Sequence, residues 1–283
     1  VTGVVPGRQT PSARTMPLLS PAVFVLFLWM VVPLAMTLWF SLESYNLLSP
    51  GRREFAGLEN YRYLLTGRAL WVAMGNTVLL VGLVLLITLV GGTLLAVLLD
   101  REFPGRKICR FLVVAPFFVM PTVSALIWKN MLMNPVFGMF SWITRSLGLG
   151  TIDFFATMPL LAITVIVAWE WTPFAVLILL PALQSLNREQ KEAARLDGAG
   201  PLALFYHVEL PHLRRPLAVV AMIEMIFLLS LFAEIYVTTG GGPGLASTNL
   251  AYLIFRDALF NWDVGGGSAG GVLAIILANI ICF

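Results

Sequence analysis

The sequence reads Glu192-Ala193-Ala194-Arg195-Leu196-Asp197-Gly198 in one short polar stretch, and after nine further residues it reads Val208-Glu209-Leu210-Pro211. Two strongly apolar segments, about 159–183 and 216–237, enclose this region. Paired alanines leave one face of a helix flat, so another protein can approach that face closely. The pattern predicts a polar contact element held between two apolar segments.

A short amphipathic helix is predicted over 186–196. Asn187 is its expected N-cap, with Gln190 three residues later as the capping-box partner. Gly198 and Gly200 are expected to end the helix in left-handed backbone conformations, which glycine adopts without steric cost.

A second short helix is predicted over 202–208, opened by Pro201 and ended by Pro211. A stiff pair of helices can transmit force to the apolar segments beside it. A lone Glu-Ala-Ala would favour a solvated loop helix without a partner. The glycine, the aliphatic position and the Leu-Pro pair, all in register, favour a docking element instead.

The composition argues against a water-soluble domain. Of the 283 residues, 59% are hydrophobic and only 12% are charged, with a mean hydropathy of +0.88, whereas soluble domains average about 25% charged residues. The net charge of +3 is therefore not a sign of nucleic-acid binding. Cys109 and Cys282 lie far apart in or near apolar segments, which predicts neither a disulfide nor a metal site.

About 20 apolar residues cross a bilayer as a helix, because the backbone must satisfy its own hydrogen bonds there. Six spans are predicted, so the expected fold is an all-α integral membrane protein with a single transmembrane domain over 1–283. The spans are 18–40, 77–99, 111–132, 159–183, 216–237 and 265–283, with the polar loop at 186–211. No cleavable signal peptide is expected, and the natural chain is expected to continue beyond Val1 and Phe283.

Lysine and arginine are distributed unevenly between the two sides of this arrangement. Eleven lie in the N-terminal tail and in the second and fourth connections, against six on the opposite side. Cytoplasmic segments carry the excess of these residues, so both termini and the Glu192 loop are expected in the cytoplasm. The eleven are Arg8, Arg14, Arg101, Arg106, Lys107, Arg110, Arg188, Lys191, Arg195, Arg214 and Arg215; the six are Arg52, Arg53, Arg62, Arg68, Arg145 and Arg256.

The loop resembles the EAA loop of ABC importer permeases, whose pattern is E-A-A, three residues, G, nine residues, then an aliphatic residue, any residue, L and P. Every spacing matches, with Val208 at the aliphatic position. The resemblance implies docking onto a cytoplasmic ATPase subunit. The ATPase-coupling residues that it implies are Glu192, Ala193, Ala194, Arg195, Asp197 and Gly198.

The chain contains no G-x-x-x-x-G-K-[S/T] stretch, so it is not expected to hydrolyse ATP itself. By the same resemblance it is a non-catalytic membrane subunit without a cofactor. ATP and Mg²⁺ are expected in separate ATPase subunits.

Two further segments resemble maltose-type carbohydrate permeases. Phe55-Ala56-Gly57-Leu58-Glu59-Asn60-Tyr61 is similar to their F-x-G-L-x-N-Y segment, and 238–248 is similar to their T-x-G-G-P-G-x-x-T segment. Residues 119–130 and 263–271 resemble more narrowly the permeases of sorbitol and mannitol importers. The resemblance implies a bacterial inner-membrane importer of a polyol or a related sugar.

The same resemblance implies the partners: a second homologous permease, two ATP-binding subunits, an extracytoplasmic substrate-binding protein and membrane lipid, but no nucleic acid. It places the binding-protein contact on a glycine-rich loop, at Gly241, Gly242 and Pro243. A plain connection between two spans is the alternative for this loop.

Ionisable residues inside a membrane are costly and usually functional. Sugar-type ligands bind aromatic faces through their C–H groups, and carboxylates or amides through their hydroxyls. The candidate substrate-binding residues are Lys129, Asn130, Trp169, Glu170, Trp171 and Glu234. A structural Lys–Glu pair joining three helices is an equally open alternative, and Glu224 is expected to be structural and to face the second permease.

Two other classes of function are open. An ion-coupled secondary transporter would use Lys129 and the glutamates as a proton relay, but it would need inverted repeats or broken helices, and no repeat is evident. A membrane-embedded enzyme would need a nucleophile and base, or metal ligands, within the spans. The two histidines, His207 and His212, lie instead in the polar loop.

Overall fold

The computed structural model describes residues 16–49, 51, 53–148 and 150–282. Arg8, Arg14 and Arg52, which entered the orientation argument, lie outside the described residues. The helices are α1 Met16–Ser41, α2 Glu59–Thr66, α3 Arg68–Asp100, α4 Arg106–Val114, α5 Pro121–Ile127, α6 Met139–Ser146, α7 Phe154–Thr157, α8 Pro159–Gln184, α9 Arg188–Leu196, α10 Pro201–Leu204, α11 Leu210–Leu229, α12 Ala233–Thr238, α13 Leu250–Phe255 and α14 Val264–Cys282.

Shorter elements link several of these helices. A 3₁₀ turn at Ala115–Phe118 continues α4, and three π turns follow α5, α10 and α13, at Trp128–Leu132, Phe205–Glu209 and Arg256–Phe260. Two short antiparallel strands, β1 Glu43–Ser44 and β2 Glu54–Phe55, form a hairpin after α1, with Glu43 opposite Phe55.

Four of the described helices are long and apolar enough to cross a membrane: α1, α3, α8 and α14. A fifth candidate consists of two pieces, 106–118 and 121–132, that are bent by 105° relative to each other. The number of six spans therefore stays a prediction. The helix α3 begins at Arg68, well before the expected start of the second span.

The predicted third span, 111–132, is not one continuous helix. Met120 adopts an extended backbone (φ −61°, ψ 136°) and Pro121 opens α5. A proline disfavours the helical conformation in the preceding residue, and it has no N–H with which to continue the hydrogen-bond ladder. The chain therefore turns sharply between the 3₁₀ turn and α5.

The predicted fifth span, 216–237, is also broken. The helix α11 ends at Leu229, and residues 230–232 separate it from α12. Asn249 donates its side-chain N–H to the Leu231 carbonyl within the core. This bond satisfies a buried backbone acceptor that the helix has released.

The helix predicted to end at Pro211 does not end there. The helix α10 continues through the π turn Phe205–Glu209 into α11, and Pro211 lies in the first turn of α11. Pro211 has no N–H to donate to the preceding turn, so the continuous helix lacks one backbone hydrogen bond next to the π turn. The second helix of the polar loop is thus a direct extension of α11.

The core forms where α3 packs along α8 with α11 beside both. Leu80, Val84, Ile163, Val167 and Leu228 are fully buried there. A second apolar cluster lies near the end of the bundle that carries α9, and α14 packs against α1 on the outside.

The segment 55–61 joins α2 to the end of α1. Asn60 donates side-chain hydrogen bonds to the carbonyls of Ser41 and Glu43, both at 2.9 Å. The Tyr61 hydroxyl donates to Ser41 Oγ at 2.7 Å. The backbone N–H of Gly265, at the start of α14, donates to Tyr45 O at 3.1 Å. Through these bonds, Asn60 and Tyr61 hold α2 against the end of α1, at the end of the bundle opposite α9.

Candidate functional site

The helix α9 presents most of the predicted ATPase-coupling residues at the surface. Asn187 caps it, because its side-chain oxygen accepts from the Glu189 N–H at 3.0 Å. The Asn187 side chain therefore bonds the backbone of Glu189 and not that of Gln190, the expected capping-box partner. The exposed residues are Glu192, Ala193, Arg195, Asp197 and Gly198, whereas Ala194 is half-buried.

The two glycines after α9 have different conformations. Gly198 is left-handed, with φ at +87°, as predicted. Gly200 is not: it is extended (φ −70°, ψ 171°) and precedes α10. Leu196 is 88% exposed beside this turn. A single exposed apolar side chain is common on protein surfaces and does not by itself define a contact surface.

Lys191 faces the opposite way, into the protein. Its ammonium lies 2.9 Å from Asp100 at the end of α3 and 3.1 Å from Glu209 in the π turn before α11. Burial alone would lower the pKa of Lys191, but the hydrogen bonds and charges of the two carboxylates outweigh it and raise the pKa above its usual value. This ion triad borders a cavity of about 950 Å³ between the end of α3 and the polar loop.

A second polar group lies inside the bundle. Glu170 of α8, Ser124 of α5 and Glu234 of α12 are each at most 5% exposed. Ser124 and Glu234 lie close enough to act on Glu170, yet both carboxylate oxygens of Glu170 and the Ser124 hydroxyl are buried without a hydrogen bond of ordinary geometry. Carboxylate oxygens can accept hydrogen bonds from hydroxyl groups, and the Ser124 hydroxyl can both donate and accept.

Lys129 does not pair with these glutamates. Its ammonium donates to the carbonyls of Val237 and Thr238, at 3.0 and 2.6 Å, at the end of α12. A cation at a helix C-terminus satisfies carbonyls that lack helical partners and is favoured by the helix dipole. The alternative to substrate binding was a structural Lys–Glu pair. The structural contact that Lys129 makes is instead a cap on the end of α12. Asn130 beside it is exposed.

The two tryptophans flanking Glu170 lie on opposite sides of α8. Trp169 packs edge-on against Trp128, with ring centroids 5.7 Å apart. Trp171 contacts Phe117, Phe174 and Phe227, with centroid distances of 6.1, 5.8 and 5.2 Å. Residues two apart on a helix diverge by about 200°. The structure therefore does not bring both rings to Glu170 as one cluster.

Glu224 does not face outward toward another subunit, contrary to expectation. It is fully buried and accepts a hydrogen bond from the Thr88 hydroxyl at 2.5 Å. It links α11 to α3 within this chain.

The glycine-rich loop after α12 has a defined structure. Asn76 of α3 donates to the carbonyls of Leu245 and Thr248, at 3.0 and 2.9 Å. Gly241 is buried, and a Cβ built on it would lie 2.5 Å from Thr248 Oγ1. Of the predicted contact residues, Gly242 is half-buried and Pro243 is exposed. Pro243 is the one best placed to meet another protein.

Sequence reasoning missed the ion triad, Ser124 and the Asn76 anchor. Asn76 had a visible signal, since it is an amide at the edge of a long apolar run. The triad had none, because its members are separated by as many as 109 positions, Asp100 to Glu209. Among the described residues, no group of three or more His, Cys, Asp or Glu side chains could hold a metal ion.

Residues 88–283 match the family described as "binding-protein-dependent transport system inner membrane component". The chain is 32% identical over 262 residues to the trehalose/maltose transport system permease protein of Thermococcus litoralis, covering 92% of this chain and 88% of that protein. It is also 32% identical over 251 residues to a probable ABC transporter permease of Sinorhizobium fredii, with 88% and 81% covered.

The fold is similar to a chain in the crystal structure of a bacterial alginate ABC transporter in complex with alginate pentasaccharide-bound periplasmic protein. The TM-score is 0.78 at 21% identity, with 95% of this chain and 92% of that chain covered. This likeness confirms a mostly helical permease fold with at least four apolar candidate spans, and the family confirms that the subunit is non-catalytic and needs no cofactor of its own. The chain belongs to the binding-protein-dependent inner membrane components, the permease subunits of ABC transporters.

Proposed function

We propose that this chain is the permease subunit of an ATP-driven carbohydrate importer. Its family and the name of its trehalose/maltose relative support the class of substrate. The observation that carries the proposal is α9, a capped helix whose outer face is exposed and whose sequence matches the coupling loop of such permeases. The proposed function of α9 is to dock onto an ATPase subunit.

The proposed assembly contains a second permease, two ATPase subunits and an external substrate-binding protein. Two features support an orientation with both termini and α9 in the cytoplasm. The end of α1 and the start of α14 are joined at the side opposite α9, so their other ends point toward the side of α9. The excess of Lys and Arg lies on that same side. The loop tip at Pro243 would then face the binding protein.

The proposed substrate contact is the group formed by Glu170, Ser124 and Glu234. Two of its members lie on the short helices that follow the breaks, α5 and α12, which contact each other and α8. Hydroxyls of a sugar or polyol could donate to the carboxylate oxygens of Glu170, and Trp169, the preceding residue, has an exposed ring that packs against Trp128. Because Glu170 is buried, substrate access requires movement of these short helices, as alternating access provides.

A polyol such as mannitol or sorbitol is the finer proposal. A neutral polyol offers many hydroxyls and no charge, which suits a group of carboxylates and a serine hydroxyl. The local resemblance of 119–130 and 263–271 to polyol permeases supports it. A disaccharide is the competing substrate.

The broken helices also fit a secondary transporter, in which discontinuous helices line the substrate site. The two classes differ in their energy source. A secondary transporter would move substrate in vesicles without ATP, whereas the proposed importer requires hydrolysis by its partner.

The test is uptake and ATP hydrolysis by the complete complex in lipid, with binding protein, across mannitol, sorbitol, trehalose and maltose. We expect hydrolysis to be stimulated by one of these, and we expect Glu170→Gln to alter substrate preference. Glu224→Gln is the matched control: Glu224 bonds Thr88 but, like Glu170, has a buried carboxylate oxygen without a hydrogen bond, so the variant tests whether that feature alone affects substrate preference. Uptake that proceeds without ATP would contradict the proposal.

A further inference from the structure

The ion triad of Lys191, Asp100 and Glu209 joins three separate elements at the end of the bundle that carries α9. Lys191 lies on α9, Asp100 ends α3, and Glu209 lies in the π turn that leads into α11. The ammonium contacts both carboxylates, at 2.9 and 3.1 Å, and the three side chains are 14%, 24% and 10% exposed. Ion pairs shielded to this degree are screened by salt far less than surface pairs.

Other contacts of α9 are few. Its main packing partners are α10 and the π turn Phe205–Glu209, which belong to the same loop. Of the described ion pairs, two join α9 to other elements, and Lys191 makes both. Glu192, the next residue, is exposed and lines the same cavity as Lys191. Among the described side chains, α9 therefore offers exposed residues to a partner, while Lys191 on its inward side makes ion pairs with two other elements.

Each carboxylate leads to a different part of the core. Asp100 ends α3, which packs along α8 and α11. Glu209 precedes α11 without a break in the helical chain. A displacement of α9 would consequently be passed to two membrane helices at once through charge-assisted hydrogen bonds, which are the stronger kind.

We propose that Lys191 is a positioning residue that transmits movement of α9 to α3 and α11, and that without its bridge ATP hydrolysis and transport become uncoupled. This inference rests on the proposed function, and it adds residues outside the exposed coupling face. Its chemistry is specific: one ammonium must satisfy two carboxylates. Arg can reproduce that arrangement, whereas an apolar side chain cannot.

The first experiment compares substrate transported per ATP hydrolysed in the complete complex, for wild type, Lys191→Met and Lys191→Arg. Removing one partner of a shielded charge pair destabilises the protein, because the remaining charges lose their counter-ion. The partial exposure of these side chains reduces that effect, since water screens the charges. We therefore expect roughly a tenfold lower transport ratio for Lys191→Met. Lys191→Arg should retain the ratio. Lys107→Met is the matched control, because Lys107 is exposed at the same end of the bundle.

A second variant separates transmission from simple destabilisation. Lys191→Met leaves two carboxylates facing each other, so it could merely loosen the fold. The triple variant Lys191→Met/Asp100→Asn/Glu209→Gln removes these charges as well, and its thermal stability should approach that of wild type. We expect its transport ratio to stay low.

Three results would decide the matter. A normal ratio in Lys191→Met, or a ratio restored in the triple variant, would overturn the transmitting role and leave the proposed importer function intact. A wild-type complex that neither hydrolyses ATP on addition of loaded binding protein nor takes up substrate would instead defeat the proposed function itself. A low ratio in both variants with rescue by Lys191→Arg supports the bridge.

Discussion

Gly92 of α3 lies against Ala175 of α8 so closely that a Cβ built on Gly92 would be 2.5 Å from the Cβ of Ala175. No real pair of methyl groups approaches this closely, so one of the two helices would have to move if residue 92 carried a Cβ. Small residues allow membrane helices to pack backbone to backbone, where the hydrophobic effect offers no attraction between them.

Gly92→Ala should therefore destabilise the protein by about 1–3 kcal/mol through overpacking of the α3–α8 interface. The measurement is the thermal unfolding midpoint in detergent. Gly91→Ala is the control, since a Cβ there meets only Thr172 Cγ2, at 4.0 Å. Ala175→Gly should partly restore Gly92→Ala. Equal midpoints for the two alanine variants would show that the helices are not in this close contact.

Asn76 should hold the glycine-rich loop in its observed conformation. Asn76→Asp replaces a donor to the Leu245 and Thr248 carbonyls with an acceptor, which leaves those carbonyls unpaired and adds repulsion. Each lost hydrogen bond costs about 1 kcal/mol, so we expect amide exchange at 241–248 to accelerate roughly tenfold or more. Asn134→Asp, which keeps the side-chain oxygen that accepts from Val136 and Phe137, should leave the loop unchanged.

Gly198 and Gly200 offer a direct test of backbone conformation. A Cβ at either position would meet no atom within 4 Å, but only Gly198 has a positive φ. Gly198→Ala should cost about 1–2 kcal/mol from left-handed strain, whereas Gly200→Ala should be nearly neutral. The readout is the thermal midpoint of each variant. Gly198→Asn should be milder than Gly198→Ala, because Asn tolerates this conformation better. A Gly200 variant as unstable as the Gly198 variant would contradict the assigned turn.

The long helices could be predicted because hydropathy alone defines them. The fourth predicted span agrees with α8 to within one residue at its end. The breaks could not be predicted, since proline has different effects in different surroundings. Pro121 opens α5 after a sharp turn, but Pro173 lies buried within an unbroken α8. Packing of α8 by neighbours on several sides holds that helix together, and packing is not visible in a linear pattern.

The candidate site was predictable only in part. Glu170 and Glu234 do meet, although they are separated by 64 positions. The divergence of Trp169 and Trp171 follows from helix geometry and could have been anticipated. The carbonyls that Lys129 contacts lie at the end of α12. The position of that end could not be predicted, because the break in the fifth span was not predicted.

The raised pKa of Lys191 predicts how the ion triad responds to pH. A group whose pKa is raised by folding stabilises the protein fully below its unfolded pKa, about 10.4 for lysine, and this contribution is lost as pH rises through the higher folded value. Asp100 and Glu209 are the charged groups that face the ammonium. The stability difference between wild type and Lys191→Met should therefore be constant from about pH 8 to pH 10.

Above that range the difference should shrink as the ammonium loses its proton. The measurement is the difference in thermal midpoint between the two proteins at pH 8, 10 and 11, which cancels titrations common to both. Lys107→Met, compared in the same way, is the control at an exposed position of the same end of the bundle. A difference that instead shifts in favour of wild type as the pH rises from 8 to 10 would mean that Lys191 titrates below its usual pKa, because the unfolded chain would then bind more protons than the folded one. Desolvation would then outweigh the two carboxylates, and the ammonium could not serve as the fixed bridge between α9, α3 and α11.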